Sequence, residues 1–307
     1  MVPSRLARRG GHESGRAPTT VVAGYIALTK PRIIELLLIT TIPTMVVAAG
    51  AWPGAWLMVV TFVGGALAAG GANAINMYVD RDIDALMERT KTRPLVTGLI
   101  SPRNALIFAI SLELIAFAIL WAGANFLSAC LALSATLFYV FVYSLWLKRT
   151  SKQNIVIGGA AGAVPVLVGW AAVQNSLAWE PFILFIAIFL WTPPHFWALA
   201  IKHSDEYKAA GVPMMPSVVP MKQTIRQMLV YTVLLTAVTL TLAPVANLGP
   251  IYWVSALVLG LAFIASTVDL SRNPSTARAM RVFGFSITYV TLLFVAMAVD
   301  VFVRHGF

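Results

Sequence analysis

Apolar residues run along this chain in stretches of twenty or so, broken by short polar connections. Nine such stretches stand out, at roughly 33–52, 56–79, 104–122, 125–146, 154–173, 180–200, 227–246, 251–270 and 283–303. A helix of about 20 apolar residues crosses the hydrocarbon core of a bilayer. The pattern therefore predicts an all-α integral membrane protein of nine transmembrane helices. Pro43, Pro165, Pro193 and Pro194 interrupt several stretches, which membrane helices accommodate when neighbours re-satisfy the freed backbone groups. Residues 1–24 form a basic tail in this reading, and 25–307 one polytopic membrane domain.

Composition agrees and excludes other classes. Hydrophobic residues make up 59% of the chain and charged residues 11%, with a mean hydropathy of +0.82; a soluble domain would carry about a quarter charged residues. A soluble enzyme and a disordered chain are both excluded. The single cysteine, Cys130, rules out an intrachain disulfide.

A net charge of +10 would suit nucleic acid, but its distribution points elsewhere. Every Lys and Arg except Arg304 falls in the N-terminal segment or in the connections after spans two, four, six and eight. The connections near 53, 123, 176 and 248 contain none. By the positive-inside rule the N-terminus is cytoplasmic and the C-terminus outside, and no nucleic-acid partner is expected. The first twenty residues are Arg-rich, with Glu13 the one acid. They admit two readings, a basic tail that fixes orientation or a mitochondrial presequence. The expected location is the inner (plasma) membrane, with the mitochondrial inner membrane as the alternative.

Acidic residues locate the chemistry. Asn76, Asp80, Asp84 and Glu88 are spaced by four at the end of span two, so on a continued helix they share one face. Carboxylates at that spacing repel one another unless a cation intervenes. With oxygen donors and no Cys or His nearby, the fitting ion is Mg²⁺, bound through a few carboxylates and substrate phosphates. Asp82 falls on roughly the opposite side. Arg89, Lys91 and Arg93 follow at once; such cations suit a diphosphate, although every inward loop here is basic. Span four ends in Tyr139, Tyr143, Trp146, Lys148 and Arg149, and the next helix opens with polar Asn154. Trp146 reads as an interfacial belt residue.

Span six carries His195 within Trp191-Thr-Pro-Pro-His-Phe-Trp, followed by His203, Asp205, Glu206 and Tyr207. Spans two and six both end in acids followed by a Pro-containing loop, which suggests a degenerate internal repeat whose second acidic cluster completes the metal site. His195 is either a haem contact or a hydrogen-bonded structural histidine. Glu113, Asp269, Asp300 and Glu35 are further acids within spans, and Glu113 alone falls near a span centre, where charge is costly.

Asn76-xxx-Asp80-xxx-Asp84 resembles the first Asp-rich motif of the UbiA-type intramembrane prenyltransferases. The stretches Leu28-Thr-Lys30-Pro31-Arg32, Arg89-Thr-Lys-Thr-Arg-Pro-Leu95, Tyr143-Ser-Leu-Trp-Leu-Lys148-Arg149, Pro193-Pro-His195-Phe196 and Asp205-Glu-Tyr207 resemble, more narrowly, its haem O synthase branch. That resemblance implies a helix bundle with a central cavity open to the cytoplasmic side. It implies farnesyl transfer from farnesyl diphosphate to haem b, giving haem O and diphosphate. Asn76, Asp80, Asp84, Lys148 and Tyr143 are then the catalytic candidates. Arg89, Lys91, Arg93, Arg149 and Asn154 are candidates for the diphosphate, and His195 and His203 for the haem. Mg²⁺ is expected on Asn76, Asp80, Asp84, Asp205 and Glu206. Tyr78 or Tyr143 would face an allylic cation. Hand-over of product to haem A synthase or to terminal oxidase assembly is the implied downstream step.

One departure concerns the second acidic motif. Many superfamily members carry Asp-xxx-Asp there, whereas Ala209 stands four residues after Asp205. The ligands of a second metal are left open. Two rival activities remain: prenyl transfer to a quinone precursor or other aromatic acceptor, and secondary transport, for which broken helices and intramembrane acids are also typical.

Overall fold

The computed structural model describes residues 17–306. Arg5, Arg8, Arg9, Glu13 and Arg16 of the expected tail lie outside the described residues, as do the side chains of Arg32 and Glu35. The first helix, α1 (Val21–Thr29), opens with the Thr20 hydroxyl accepting the Ala23 N–H at 3.2 Å. The 24/25 tail boundary thus falls inside a helix. Lys30, in the left-handed region at φ +52°, turns the chain into α2 (Pro31–Ala49), whose first residue is proline. Proline is suited to that position because its missing N–H would be unbonded anyway.

Long helices follow: α3 (Ala55–Val79), α5 (Pro102–Gly123), α8 (Asn154–Gln174), α9 (Trp179–Lys202), α12 (Met221–Val245), α13 (Pro250–Arg272) and α14 (Thr276–His305). Another crossing, Phe126–Thr150, is composite. It comprises α6 (Phe126–Leu137), a π-helical stretch (Phe138–Leu147) and a last turn, α7 (Lys148–Thr150). Short helices α4 (Arg81–Leu86), α10 (Ser204–Ala209) and α11 (Met215–Val218) lie in the connections. Among the described residues, eight helices are long and apolar enough to cross a membrane, and α2 adds the shorter apolar stretch Ile39–Ala49. The expected span ends lie within seven residues of these helices' ends, and no strand occurs among the described residues.

Neighbour packing runs α2–α3–α5–α6–α8–α9–α12–α13–α14 and closes from α14 back onto α2. Contacts of α2 with α8 and of α9 with α14 cross the middle. α8 is the most enclosed crossing, with 67% of its apolar window buried against 22% for α5. This makes α8 a central helix and α5 a lipid-facing one. Exposed Trp52, Trp56, Trp121, Trp179 and Trp253 gather at the connections that lack basic residues, as an interfacial belt would.

Lipid tails are as apolar as leucine, so helices associate through close fit and polar contacts. Asn125 Nδ2 donates to Ala171 O at 2.6 Å, tying α6 to α8, and Tyr252 donates to Thr239 O at 2.8 Å, tying α13 to α12. Each such bond contributes about 0.6 kcal/mol in a bilayer, so close fit carries much of the association. At Gly158 a Cβ would stand 2.3 Å from Cδ2 of Tyr143; only glycine lets that ring lie against α8. Gly65 and Gly162 instead border open space.

Asp300, Glu113 and Asp269 make structural contacts. Asp300 accepts the Gly249 N–H at 2.5 Å and the Tyr252 N–H at 3.2 Å, capping α13 from a neighbouring helix. Glu113 accepts from Thr136 at 3.1 Å and packs on the backbone of α3 at Gly71. Asp269 binds Arg278 at 2.9 Å.

Candidate active site

The polar ladder is built at the end of α3. Asp80 leaves helical geometry (φ −89°, ψ 5°), yet its N–H still reaches Asn76 O at 2.9 Å and its own carbonyl accepts Asp84 N–H at 2.8 Å. α4 thus prolongs the line of α3, and Asn76, Asp80 and Asp84 stay together, each at most 3% exposed. Glu88 leaves the series. Met87 is extended (φ −105°, ψ 127°), and Glu88, 78% exposed, pairs with Lys91 at 2.5 Å. The expected four-residue ladder is a three-residue one because the helix ends at Leu86, two residues before Glu88.

Cations meet the ladder from three directions. Lys148 donates to Asp80 Oδ2, and Arg93 Nη1 to Asp84 Oδ2 at 2.6 Å. Lys30 Nζ donates to Asn76 Oδ1 at 2.9 Å. The Asn76 amide donates in turn to Asp80 Oδ2 at 2.7 Å and to Ser144 Oγ at 3.0 Å. Burial first, then the charges of Arg93 and Lys148, lower the Lys30 ammonium from its ordinary 10.5 to about 7.

The π-helical stretch sets the opposing wall. Its wider turn brings residues four to five apart onto one face, and such turns recur at functional sites. Ser144 Oγ donates to Tyr139 O at 2.9 Å, five residues back, and points its lone pairs at Asn76. Tyr139 and Tyr143 stack with centroids 5.2 Å apart and planes 18° from parallel. Sequence spacing did not reveal Lys30, Ser144 or Tyr139 as members of this cluster. The signal that could have found Lys30 was a cation just before the proline that begins α2.

The other candidates divide. Arg149 grips Asp82 with two bonds of 2.8 Å and also reaches Val79 O; Asp82, as its register implies, faces away from the ladder at 61% exposure. The paired guanidinium holds the Asp82 carboxyl at about 2. Asp205 is exposed. Glu206 accepts the Arg89 N–H at 3.3 Å and lies 2.9 Å from His203 Nδ1, while the Arg89 guanidinium reaches the Tyr207 hydroxyl at 3.4 Å. Loops after α3 and α9 are therefore joined. The suspected repeat is visible as two long helices, each followed by a six-residue one. Among the described residues no three His, Cys, Asp or Glu side chains converge on one metal-sized point; Glu206 is brought to the loop that follows the ladder through the Arg89 N–H. Arg81 lies 4.7 Å over the ring of Tyr78, covering one of its two faces.

Two of the buried side chains with unpartnered polar atoms are sequence-predicted site residues. Asp80 Oδ1 and both side-chain polar atoms of Asn154 are enclosed without a hydrogen bond. Buried polar groups are nearly always satisfied, and these are the donor types a hard cation and a phosphate take up.

His195 stands apart in α9. Its ring is sandwiched between Trp191 and Phe283, with centroids at 4.2 and 4.6 Å. Nδ1 lies 2.7 Å from Ser286 Oγ. That hydroxyl already donates to Phe283 O at 2.6 Å, so Nδ1 is the donor and Nε2 keeps its lone pair. The two readings of this residue are compatible: a structurally anchored ring with one nitrogen left to ligate.

Residues 37–296 match the model of the UbiA prenyltransferase family. The chain belongs to that family. The UbiA bundle is also the fold of solved structures that resemble it. A digeranylgeranylglyceryl phosphate synthase superposes with a TM-score of 0.76 at 18% identity, covering 92% of this chain and 98% of that one. A UbiA homologue from Archaeoglobus fulgidus bound to GPP and Mg²⁺ gives 0.60 at 18% identity, covering 89% and 99%. Among curated relatives, the protoheme IX farnesyltransferase of Kineococcus radiotolerans is 51% identical over 99% of this chain and 94% of its own length. That of Renibacterium salmoninarum is 49% identical over 99% and 97%. The chain is thus a multi-pass, all-helical UbiA prenyltransferase.

Proposed function

We propose that this protein transfers the farnesyl group of farnesyl diphosphate to a vinyl group of haem b, releasing diphosphate and forming haem O. The observation that carries the reading is Asp80: a fully enclosed carboxylate with one oxygen on Lys148 and Asn76 and the other unpartnered. Relatives near 50% identity that share the whole chain supply the acceptor.

Asp80, Asp84 and the Asn76 carbonyl would hold Mg²⁺, with Asp205 or Glu206 helping from the loop after α9, and Asn154 would meet the diphosphate; an all-oxygen donor set with room for phosphate is what that ion uses. When bound it supplies neutralisation of the departing diphosphate. Lys148 and Arg93 point charge at the same region, and cations fixed in a low-dielectric pocket stabilise charge on a leaving oxygen without reorganising. As the C–O bond ionises, the ring face of Tyr143, braced by Tyr139 and Gly158, would stabilise the allylic cation. The vinyl carbon attacks that cation, and water adds to the resulting porphyrinyl cation with loss of a proton. His195 Nε2 would ligate the haem iron, and His203 lies at the mouth near Arg89. Arg89, Lys91 and Arg149 serve the mouth rather than the ladder.

Basic residues fall at the ladder end of the bundle, which supports a cytoplasmic N-terminus, an external C-terminus and a mouth facing the cytoplasm across the plasma membrane. Haem O would pass to haem A synthase or to terminal oxidase assembly.

The deciding experiment incubates purified protein with haem b, farnesyl diphosphate and Mg²⁺ and weighs the porphyrin product. Haem O with equimolar diphosphate supports the reading, as does its loss on chelation of the metal. Product only with a quinone-ring acid in place of haem assigns the alternative acceptor, and absence of diphosphate release removes the enzyme.

A further inference from the structure

We propose that the end of the bundle remote from the ladder carries a phospholipid site, in which Arg304 binds the phosphodiester of a lipid whose head group bears a hydrogen-bond donor, such as glycerol. The proposal is independent of the prenyl diphosphate chemistry above.

Two cavities meet at the turn between α12 and α13. One, of about 270 Å³, is open and runs along Pro244, Pro250 and Trp253. The other, of about 180 Å³, is more enclosed and lies between that turn, Gly50 at the end of α2 and the last turn of α14. Asn247, Leu248 and Arg304 line both, so the two are lobes of one depression around the guanidinium.

Charge selects a phosphate for it. The connections at this end contain no Lys or Arg, and Arg304 is the one such residue there. Its stem is packed: a Cβ on Gly249 would stand 2.8 Å from Arg304 Cδ, which sets the guanidinium over the turn. Asp300, one turn back in α14, is buried and spends its two oxygens on the Gly249 and Tyr252 N–H groups. None of the ion pairs among the described residues includes Arg304. A guanidinium fork without a carboxylate is matched in shape and charge to a phosphate.

Acceptors line the second lobe. His305 Nδ1 lies 2.8 Å from the Val301 carbonyl, which can only accept, so Nδ1 carries the proton. In the neutral ring Nε2 is then an acceptor, and it stands 4.0 Å from where a Cβ on Gly50 would be. Asn247, exposed and held at φ +48°, adds an amide oxygen. A glycerol hydroxyl can donate to these atoms, and a choline group has nothing to donate.

Position in the bilayer favours a lipid over a free anion. Exposed Trp52 and Trp253 mark the interface at this level, and Trp52 lies 6.4 Å from Phe302 of α14. Pro244 and Trp253 give the open lobe an apolar wall for the start of an acyl chain. Basic pockets between membrane helices take up lipid head groups in this way. An arginine that merely snorkelled from a helix end would need neither lobe.

The test is native mass spectrometry of the full chain in detergent, titrated with phosphatidylglycerol or phosphatidylcholine. Phosphatidylglycerol should be retained at concentrations where phosphatidylcholine is not, and should raise the melting temperature, as a ligand of the folded state does. Arg304→Gln should weaken that retention on the order of tenfold or more and abolish the rise, while melting as wild type does in detergent alone. Arg304→Lys should keep part of the affinity. Lys222→Gln, which removes an exposed cation at the opposite end of α12, should change neither readout. Retention unmoved by Arg304→Gln, equal loss in Lys222→Gln, or equal retention of phosphatidylcholine would overturn the proposal. Displacement of the lipid by equimolar inorganic phosphate would overturn it in favour of a free-anion site.

Discussion

Lys148 and Asp80 form an ion pair at the inner end of the bundle in which the carboxylate is 0% exposed and the ammonium side chain 14%. Sixty-eight positions separate them in the chain. Removing one member of a buried pair strands the other, at a cost of about 3–5 kcal/mol, whereas removing both does not.

Asp80→Asn should therefore abolish farnesyl transfer and also lower the melting temperature in detergent. Adding Lys148→Met to it should recover much of the stability and none of the activity. Calorimetry and product mass spectrometry check the two halves separately; recovered turnover in the double variant would remove Asp80 from the chemistry.

Gly158→Ala would place a methyl group 2.3 Å from the Tyr143 ring. We expect displacement of the Tyr139–Tyr143 stack and a fall in kcat of at least about tenfold, consistent with the cost of small misplacements in a catalytic site. Gly162→Ala, which meets open space, should leave kcat near wild type. Equal effects at the two glycines would show that Tyr143 placement is immaterial.

His195 and Ser286 predict a spectroscopic series. His195→Ala should shift the haem absorption bands, and Ser286→Ala, which takes away the 2.7 Å partner of Nδ1, should shift them less. Neither change should alter binding of an unreactive farnesyl diphosphate analogue, because the histidine makes no contact with the ladder. Spectra identical to wild type in both variants would leave His195 a packing residue.

Asp82 gives a pH dependence with a definite sign. Arg149 lowers its carboxyl from 3.8 to about 2. A depressed acid contributes stability that is complete above its unfolded value and is lost as pH falls through the folded one. The difference in melting temperature between wild type and Asp82→Asn should stay constant from about pH 5 to 8 and shrink below about pH 4. It should be small throughout, since the carboxyl is 61% exposed and exposed pairs are screened. A difference that varies across the neutral range would mean that another group titrates with it.

Hydropathy located the crossings well. Span ends from the apolar pattern fall close to the helix ends, because burial in lipid is a property each segment has on its own. The four-residue spacing of Asn76, Asp80 and Asp84 was likewise legible, since one helical line carries all three. It misled at Glu88, where the backbone extends at Met87, a local choice that periodicity does not encode. Two loops with similar acids suggested one composite metal site; the folded chain joins those loops through Glu206, which lies against His203 and the Arg89 N–H, a contact that residue spacing does not encode.

What the sequence by itself determined is the membrane bundle, its one basic end and the acidic line at that end; hydrophobic length, charge placement and helical spacing are all written locally. Only the tertiary structure decided which cations and hydroxyls meet that line. Lys30, Ser144 and the stacked Tyr139 and Tyr143 reach it through a left-handed turn, a π-helical stretch and a glycine that admits a ring. Those contacts depend on how each helix is rotated against its neighbours, and that rotation is set by side-chain packing between segments far apart in the chain.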